Sequence, residues 1–394
     1  MGAAADAFNN AADVIGKGAG HVAKRASSQR ESVQDKRPHI ELRVPEPLLD
    51  ERERRELDEI AAAFKRMREK NLFDKMGKAA AGMLPRPARN LAKSFGDAAQ
   101  AQDIYKQAME YVAKGYKILE EQAIRLSLDE GGAVAAVNKH SRVRVERLEE
   151  LCLLRSYDLA RTVQDEKSGH LATAFAEGLA TGVPGFAGIP FNLACSTFLY
   201  YRAVQSIAML YGFDVRGNAE ELVIAGQVFA AALTPGESEV DGMSANITKI
   251  MALGQAALVR DAVKKGWTEA ARQGGIPLVI VQLRALASKT ARNALDKAGK
   301  KGLEASMFQG VFRAVGKKLG QKTVQRAIPV VGGVIGGTLD TVQMSSVLEY
   351  ADMFYRKRFT LEKEIRIAEL LGLSEIEIAA DEISTAEDES DADC

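Results

Sequence analysis

His170 and Cys195 are the two residues of this chain that could form a catalytic thiol–imidazole couple, in which the imidazole would activate the thiol as a nucleophile. The chain has four histidines and three cysteines. A cysteine within an apolar helix is more often a small buried side chain, which favours a structural role for both residues. The histidines form neither an HExxH motif nor a close pair. We therefore expect no metal site and no cofactor.

Four polar residues flank two apolar stretches of the chain: Glu177, Asn192, Asp214 and Asp340. If the two stretches pack against each other, these side chains could converge in one polar pocket. Asp and Asn also cap helix ends routinely, and that is the commoner role. The sequence leaves both interpretations open, with capping favoured.

The glycine-rich segment 332–338 resembles a phosphate-binding loop only superficially. A loop of that kind needs a lysine before its Ser or Thr to reach the phosphates. Here Gly337 precedes Thr338, and no basic residue stands nearby. The segment is therefore not interpreted as a nucleotide site.

The apolar stretches themselves, 183–192 and 328–340, share a pattern. Each begins with a β-branched residue and a proline, has glycine five residues after that branched residue, and leads into a segment rich in aromatic residues. The pattern predicts an internal duplication that forms two related Pro/Gly-rich helical hairpins. Neither stretch should cross a bilayer, because Pro184 and Pro190 interrupt the first and the uncharged run that contains the second, 327–339, has only 13 residues.

These loops could pack inward or reach outward to a membrane or a partner protein. Small residues at tight helix crossings favour the inward arrangement. In the outward arrangement, apolar side chains of the loops and basic side chains of a neighbouring helix would form the contact surface. Those residues are Phe186, Ile189, Phe191, Val331, Val334, Ile335, Arg313, Lys317 and Lys318.

The elements that must position these residues are predicted to be helices, giving a mainly α, multi-helix bundle. The chain of 394 residues is 46% hydrophobic and only 6% aromatic, which is typical of a globular helical protein. Periodicity and capping signals predict helices in the following places: from residue 57 to 67, from 103 to 128, from 134 to 163, from an N-cap at Ser168 to Gly182, from 194 to 211, from Asn218 onward, from Ser244 onward, and through 278–283.

Charge is unevenly distributed although the net charge is zero. Residues 256–326 contain 15 Lys/Arg and 4 Asp/Glu, whereas residues 362–394 contain 12 acidic and 2 basic residues. The basic stretch could bind an anionic membrane surface. Nucleic acid is not expected, because no reading motif accompanies the basic residues. We hypothesise that the acidic tail, which has the composition of a disordered segment, screens the basic stretch.

Several motifs together resemble the bacterial EcsC-type protein family over roughly residues 100–370. They are Ala176-Glu177-Gly178, Thr181-Gly182, Pro184-Gly185, Tyr211-Gly212-Phe213-Asp214, Ile328 to Gly333 (IPVVGG), Tyr355-Arg356 and Arg358-Phe359. Two positions depart from the family pattern. Asn192 stands where an acidic residue is expected, and Asp340 stands near where an asparagine is usual. A site that relies on either position is in doubt.

The resemblance implies a membrane-proximal protein without a known catalytic mechanism, from a family named for a component encoded beside an ABC-type transporter. We therefore expect a non-catalytic protein, either cytoplasmic or peripheral at the inner membrane, whose partner is an anionic membrane surface or a transporter complex. A homo-oligomer is compatible with the sequence. The alternative is an enzyme, such as a hydrolase, with a pocket between the duplicated hairpins. The predicted organisation is an N-terminal extension with a charged helix (1–75), the EcsC-like domain (76–372) and an acidic tail (373–394).

Overall fold

The computed structural model describes residues 42–69, 98–122, 128–181, 189–233, 242–254, 276–318 and 333–372. Within these ranges the regular structure is helical and no β-sheet is present, which confirms the prediction of a mainly α fold. The α-helices are α1 (Glu51–Glu69), α2 (Ala98–Lys114), α3 (Tyr116–Gln122), α4 (Glu130–His140), α5 (Ser156–Thr181), α6 (Ile189–Leu210), α7 (Ala219–Leu233), α8 (Gly242–Ala252), α9 (Ile276–Lys318), α10 (Gly333–Leu361) and α11 (Lys363–Leu370), and a 3₁₀ helix spans Leu148–Leu153.

Helix α6 lies at the centre of the fold. Every residue from 194 to 211 is buried, and helices α2, α4, α5, α7 and α10 pack around it. A helix with apolar side chains on all sides requires this enclosure. The helix ends before Gly212, whose φ of 78° is a left-handed conformation that glycine adopts at little cost. This end of the helix was predicted from the sequence.

Helix α1 packs across α10 and α8 through one apolar side. Its residues Leu57, Ile60, Phe64 and Met67 are all buried, at the spacing predicted for an amphipathic helix. The ring of Phe64 meets Tyr350 of α10 edge to face, with 6.0 Å between the ring centroids. The charged helix near the N-terminus is therefore part of the described core.

Helix α9 consists of two helical segments joined at Gly299, where φ is 65° and ψ is 171°. The segment 278–283, which could also have been a strand, is helical as predicted. Phe308, Val311 and Phe312 form the buried side of the second segment. Helix α9 packs against α7 and α8 and closes one side of the bundle.

The predicted helix over 134–163 is wrong. Helix α4 ends at His140, and a loop and the 3₁₀ helix separate it from α5. The side chain of Asn138 accounts for the break, because it bonds both the carbonyl and the N–H of Val145 in the loop that follows α4. Its amide donates to the Val145 carbonyl at 2.8 Å, and its oxygen accepts from the Val145 N–H at 3.0 Å. Such local bonds compete with the helical pattern, which apolar periodicity does not detect.

Two further helix boundaries differ from the predictions. Ser168 does not cap a helix but lies inside α5, where its hydroxyl donates to the Gln164 carbonyl at 3.0 Å. Exposed serines tolerate this position because the hydroxyl finds a partner one turn back. The predicted helix over 103–128 is interrupted at Gly115, which separates α2 from α3.

Residues 182–188 and 319–332, which contain the beginnings of the two apolar stretches, lie outside the described residues. Helices α6 and α10 begin within these stretches, at Ile189 and Gly333, and carry the predicted aromatic side chains. The duplication and the two hairpins remain predictions. No helix among the described residues is both long enough and apolar enough to cross a membrane.

Candidate functional site

A polar cleft of about 840 Å³ opens between α7, the first segment of α9 and α11. Its lining combines acidic, basic and small residues from four parts of the chain. They are Glu149, Gly212, Phe213, Asp214, Gly217, Asn218, Glu220, Glu221, Val281, Arg284, Ala285, Ser288, Arg292, Arg366, Glu369 and Leu370. The volume falls within the range of small-molecule sites, so this cleft is the first candidate for binding.

Asp214 is the one predicted pocket residue whose side chain is described, and it lines this cleft. Its Oδ1 accepts from the N–H groups of Arg216 at 2.9 Å and Gly217 at 2.8 Å, which closes a tight turn. The next residue, Asn218, caps α7 as predicted by accepting from the N–H of Glu220 at 2.8 Å. The Asp214 carboxylate therefore holds the turn that leads into α7.

Two arginines and three glutamates form a charge network beside the cleft. The guanidinium of Arg358 bonds both carboxylate oxygens of Glu221, with Nη2 2.7 Å from Oε1, and also donates to Glu362. Arg284 Nη2 donates to Glu362 at 2.6 Å, and its Nη1 donates to Glu369 at 3.0 Å. Two-point arginine–carboxylate bonds of this kind are among the strongest polar contacts in proteins.

Glu362 lies at the centre of this network and is fully buried. Burial alone would raise the pKa of its carboxyl group, but the charges of Arg284 and Arg358 outweigh burial and lower the pKa to about 2. The same pairing raises the pKa of both arginines despite their burial. All three groups therefore stay charged across the physiological pH range.

Arg366 ties α11 to the end of α6. It donates from Nη1 to the carbonyl of Tyr211 at 2.9 Å and from Nη2 to that of Gly212 at 2.7 Å. Its guanidinium lies over the ring of Phe213, 4.5 Å from the centroid, and 5.6 Å from that of Phe359. A cation at the C-terminal carbonyls of a helix complements the helix dipole. The contact fixes the turn that carries Asp214.

Two lysines of the same region also donate to backbone carbonyls at the ends of helices. Lys357 Nζ donates to the Met251 carbonyl in the last turn of α8 at 2.7 Å, and Lys363 Nζ donates to the Leu154 carbonyl just after the 3₁₀ helix at 2.8 Å. Both ammonium groups are buried. Burial lowers the pKa of Lys357 to about 7, with only partial compensation from Asp58.

Helix α1 supplies buried acidic partners to this region. The Glu53 carboxylate accepts from Lys363 Nζ at 2.8 Å and from Arg155 Nη1 at 2.8 Å. Glu56 pairs with Arg356, with 2.7 Å between Oε1 and Nη2. The basic residues from 356 to 366 thus join α1, α6, α7, α8 and the 3₁₀ helix to one segment, which is a structural role.

The other predicted polar and catalytic residues are placed only by their helices. His170 and Glu177 belong to α5, Asn192 to α6 and Asp340 to α10, but their side chains lie outside the described part of the structure. Cys195 is described and fully buried in α6. The structure therefore does not test whether these groups share a pocket.

Most of the predicted contact residues also have side chains outside the described part of the structure. Arg313 is exposed on α9. Phe186 and Val331 lie outside the described residues, and the remaining members belong to helices without described side chains. Those members are Ile189, Phe191, Val334, Ile335, Lys317 and Lys318. The choice between inward and outward loops stays open.

Sequence reasoning did not single out Arg284 and Arg366, which line the cleft, or Glu362, which is buried beside it. The available signal was the dense alternation of charges in 356–369, directly after a buried segment of α10. Charged residues are mostly exposed, and fully buried ones are expected to be paired. Only the partners, which lie far away in the sequence, reveal that these residues are buried.

Comparison with known proteins gives one match. A family model described as the EcsC protein family matches residues 51–359, from the first residue of α1 to Phe359 near the end of α10. No curated protein and no solved structure matches the chain. The match covers most of the chain, and it includes α1, which lies before the motifs that first carried the resemblance. The chain belongs to the EcsC protein family.

Proposed function

We propose that this EcsC protein is a non-catalytic interaction protein that acts at an anionic membrane surface. The observation that carries the proposal is a basic face on the first segment of α9. Lys289, Arg292 and Lys297 are exposed there, and Lys300 follows just after the kink at Gly299. We call these four residues the α9 basic face.

The arrangement of the α9 basic face suits a flat anionic partner. At 3.6 residues per turn, its three residues before the kink project from one side of the helix. Within residues 276–318 there are nine Lys/Arg and two Asp/Glu, and Asp296 is the acidic residue that lies among the basic ones on this side. Each basic side chain near an anionic leaflet contributes about 1 kcal/mol. Four such residues would give weak, reversible and salt-sensitive binding.

The chemistry of the cleft supports a role without catalysis. Its central charges are committed to one another: Arg284 to Glu362 and Glu369, and Glu221 to Arg358. The low pKa of Glu362 places it far from the range in which a general base or acid works at neutral pH. Neither histidine nor cysteine lines the described cleft.

The alternative, an enzyme such as a hydrolase, draws its support from the volume of the cleft, which would accommodate a small substrate. The two proposals differ in what they require of the cleft. An enzyme needs a group there that changes its protonation or attacks a substrate, such as Ser288. Replacement of Ser288 by alanine should leave an interaction protein unaffected in every membrane-binding assay.

Vesicle flotation tests the membrane proposal. The full chain should float with vesicles that contain phosphatidylserine and remain unbound with pure phosphatidylcholine vesicles, and high salt should release it. The triple variant Lys289→Glu, Lys297→Glu, Lys300→Glu should lose binding by about a hundredfold, since each contact contributes about 1 kcal/mol. Equal flotation of the variant would exclude the α9 basic face as the contact.

A matched control carries the same charge change on another exposed surface. Lys106, Lys114 and Lys117 are exposed on α2 and α3, and their replacement by glutamate alters net charge equally. This control should retain more binding than the α9 variant. Equal loss in both triple variants would mean that overall charge, and not this face, governs attraction to the membrane.

A further inference from the structure

The polar cleft between α7, α9 and α11 contains more negative than positive charge. Its lining has five carboxylates and three guanidinium groups. Glu362 and Arg358, which are buried beside it, add one charge of each sign. These groups together therefore keep two negative charges in excess. A cleft with an excess of one sign of charge concentrates its field and attracts ions of the opposite sign.

Two glutamates of the lining account for this excess. Glu149 in the 3₁₀ helix is exposed, and Glu220 in the first turn of α7 is partly buried. Neither carboxylate bonds a side chain among the described residues, whereas the other two glutamates of the lining are paired with arginines. The helix dipole favours a carboxylate at the position of Glu220 but does not occupy its oxygens. Both side chains thus offer free acceptors to the cleft.

Asp214 adds a third acceptor to the same lining. Its Oδ1 accepts from the two N–H groups of the turn, and its Oδ2 has no donor among the described residues. Gly217 also lines the cleft, and a Cβ at this position would collide with Oδ2. Because glycine has no side chain, space remains beside this oxygen.

The size and composition of the cleft suit an organic cation better than a metal ion. Among the residues that the structure describes, no group of three His, Cys, Asp or Glu side chains could hold one ion. The volume of about 840 Å³ is that of a small-molecule site. Phe213, Val281 and Leu370 place apolar surface in the same lining. A flexible chain with ammonium groups can lay its methylene groups on such surface while its charges reach the carboxylates, as lysine side chains do.

We infer that the cleft binds a linear aliphatic polyamine, whose ammonium groups contact Glu149, Glu220 and Asp214. An ammonium group donates up to three hydrogen bonds and accepts none, which matches carboxylates with free acceptor positions. Arg284 and Arg366 do not compete for these carboxylates, because the first is held by two other glutamates and the second by backbone carbonyls. An anionic ligand would meet the excess negative charge. The inference requires no reaction and does not rest on the proposed membrane role.

Titration calorimetry with the full chain at pH 7 and constant ionic strength tests this inference. The probes are spermidine and putrescine, with butylamine as an amine of single charge and Mg²⁺ as a compact cation with the charge of putrescine. Spermidine should bind at least about fivefold more tightly than butylamine, the value of one additional exposed ion pair. Putrescine should bind more tightly than Mg²⁺, because its charges are separated. Absence of spermidine binding, or binding no tighter than that of butylamine or Mg²⁺, would overturn the inference.

Two double variants locate the binding. Replacement of both Glu149 and Glu220 by glutamine should weaken spermidine binding by about 25-fold, at about fivefold for each ion pair. The matched control replaces Glu146 and Glu364 by glutamine. Both are exposed and lie outside the lining of the cleft, so net charge changes equally.

The control should bind spermidine within about twofold of the native protein, because solvent and salt screen distant charges. Circular dichroism establishes that each variant is folded. Equal loss in the two double variants would mean that net charge governs the binding and would overturn the assignment to the cleft. Unchanged binding by the cleft variant would overturn it as well.

Discussion

Replacement of Glu362 by glutamine tests the charge network beside the cleft most sharply. The substitution keeps the shape of the side chain but removes the charge that Arg284 and Arg358 share. Lowering the pKa from the ordinary 4.5 to about 2 corresponds to about 3 kcal/mol of stabilisation. Loss of one partner from a buried ion pair has a cost of similar size, about 3 to 5 kcal/mol. We therefore expect the free energy of unfolding to fall by about 3 kcal/mol at pH 7.

The effect should depend on pH in a defined direction. The folded-state pKa of Glu362 lies below that of the unfolded chain, so its contribution is complete above pH 4.5 and is lost as the pH falls towards 2. The difference between the native protein and the glutamine variant should thus be constant from pH 7 to about pH 5 and shrink below that. Glutamine does not titrate, so the variant contributes nothing to this dependence.

Urea unfolding followed by far-ultraviolet circular dichroism at several pH values measures both quantities. Glu364→Gln is the matched control, because Glu364 is exposed two residues further along and should change the stability by less than about 0.5 kcal/mol. A Glu362 variant as stable as the native protein would refute the reasoning. So would a difference that does not change between pH 7 and the acid limit of folding.

Three other perturbations have expected outcomes. Gly212→Ala should destabilise the protein by more than Gly299→Ala, which should cost about 1 kcal/mol. Both glycines have positive φ, but a Cβ at Gly212 would lie 2.5 Å from Arg366 Nη2, whereas one at Gly299 would meet no atom within 4 Å. A Gly299→Ala variant that melts at a lower temperature than the Gly212→Ala variant would contradict this packing. Lys357→Met should stabilise the protein by about 2 kcal/mol at pH 7. This stabilisation should decrease as the pH rises towards 10.5, because the lysine of the unfolded chain then also loses its proton. A Lys357→Met variant that is less stable than the native protein at pH 7 would contradict the expectation. Truncation after Gly372 should strengthen flotation with anionic vesicles if the acidic tail screens the basic stretch, and unchanged flotation would exclude that role.

Local signals predicted much of the fold. The apolar spacing in α1 identified Leu57, Ile60, Phe64 and Met67 as a buried side, and Gly212 marked the end of α6. These features depend on residues within a few positions of each other. Periodicity failed in the region of residues 134–163, where Asn138 ends a helix by bonding backbone seven residues away.

The cleft could be predicted only in part. Asp214 was singled out as one of four polar residues that flank the two apolar stretches. Its described bonds are those of a turn-forming residue. Glu362 was overlooked because a charged residue in a charged stretch normally lies on the surface. Its burial depends on Arg284, which lies 78 positions away, and on α11 packing beside the cleft. Pairings over such distances follow from the tertiary fold and not from local sequence.

Fractionation of cells that express the full chain tests the central claim, that the protein acts at a membrane through electrostatic contact. The protein should sediment with membranes at low ionic strength and move to the supernatant in about 1 M salt, where screening shortens the range of charge interactions to about 3 Å. The α9 triple variant should remain in the supernatant under both conditions. A native protein found in the supernatant at low salt, or one that stays with membranes in high salt, would contradict the account.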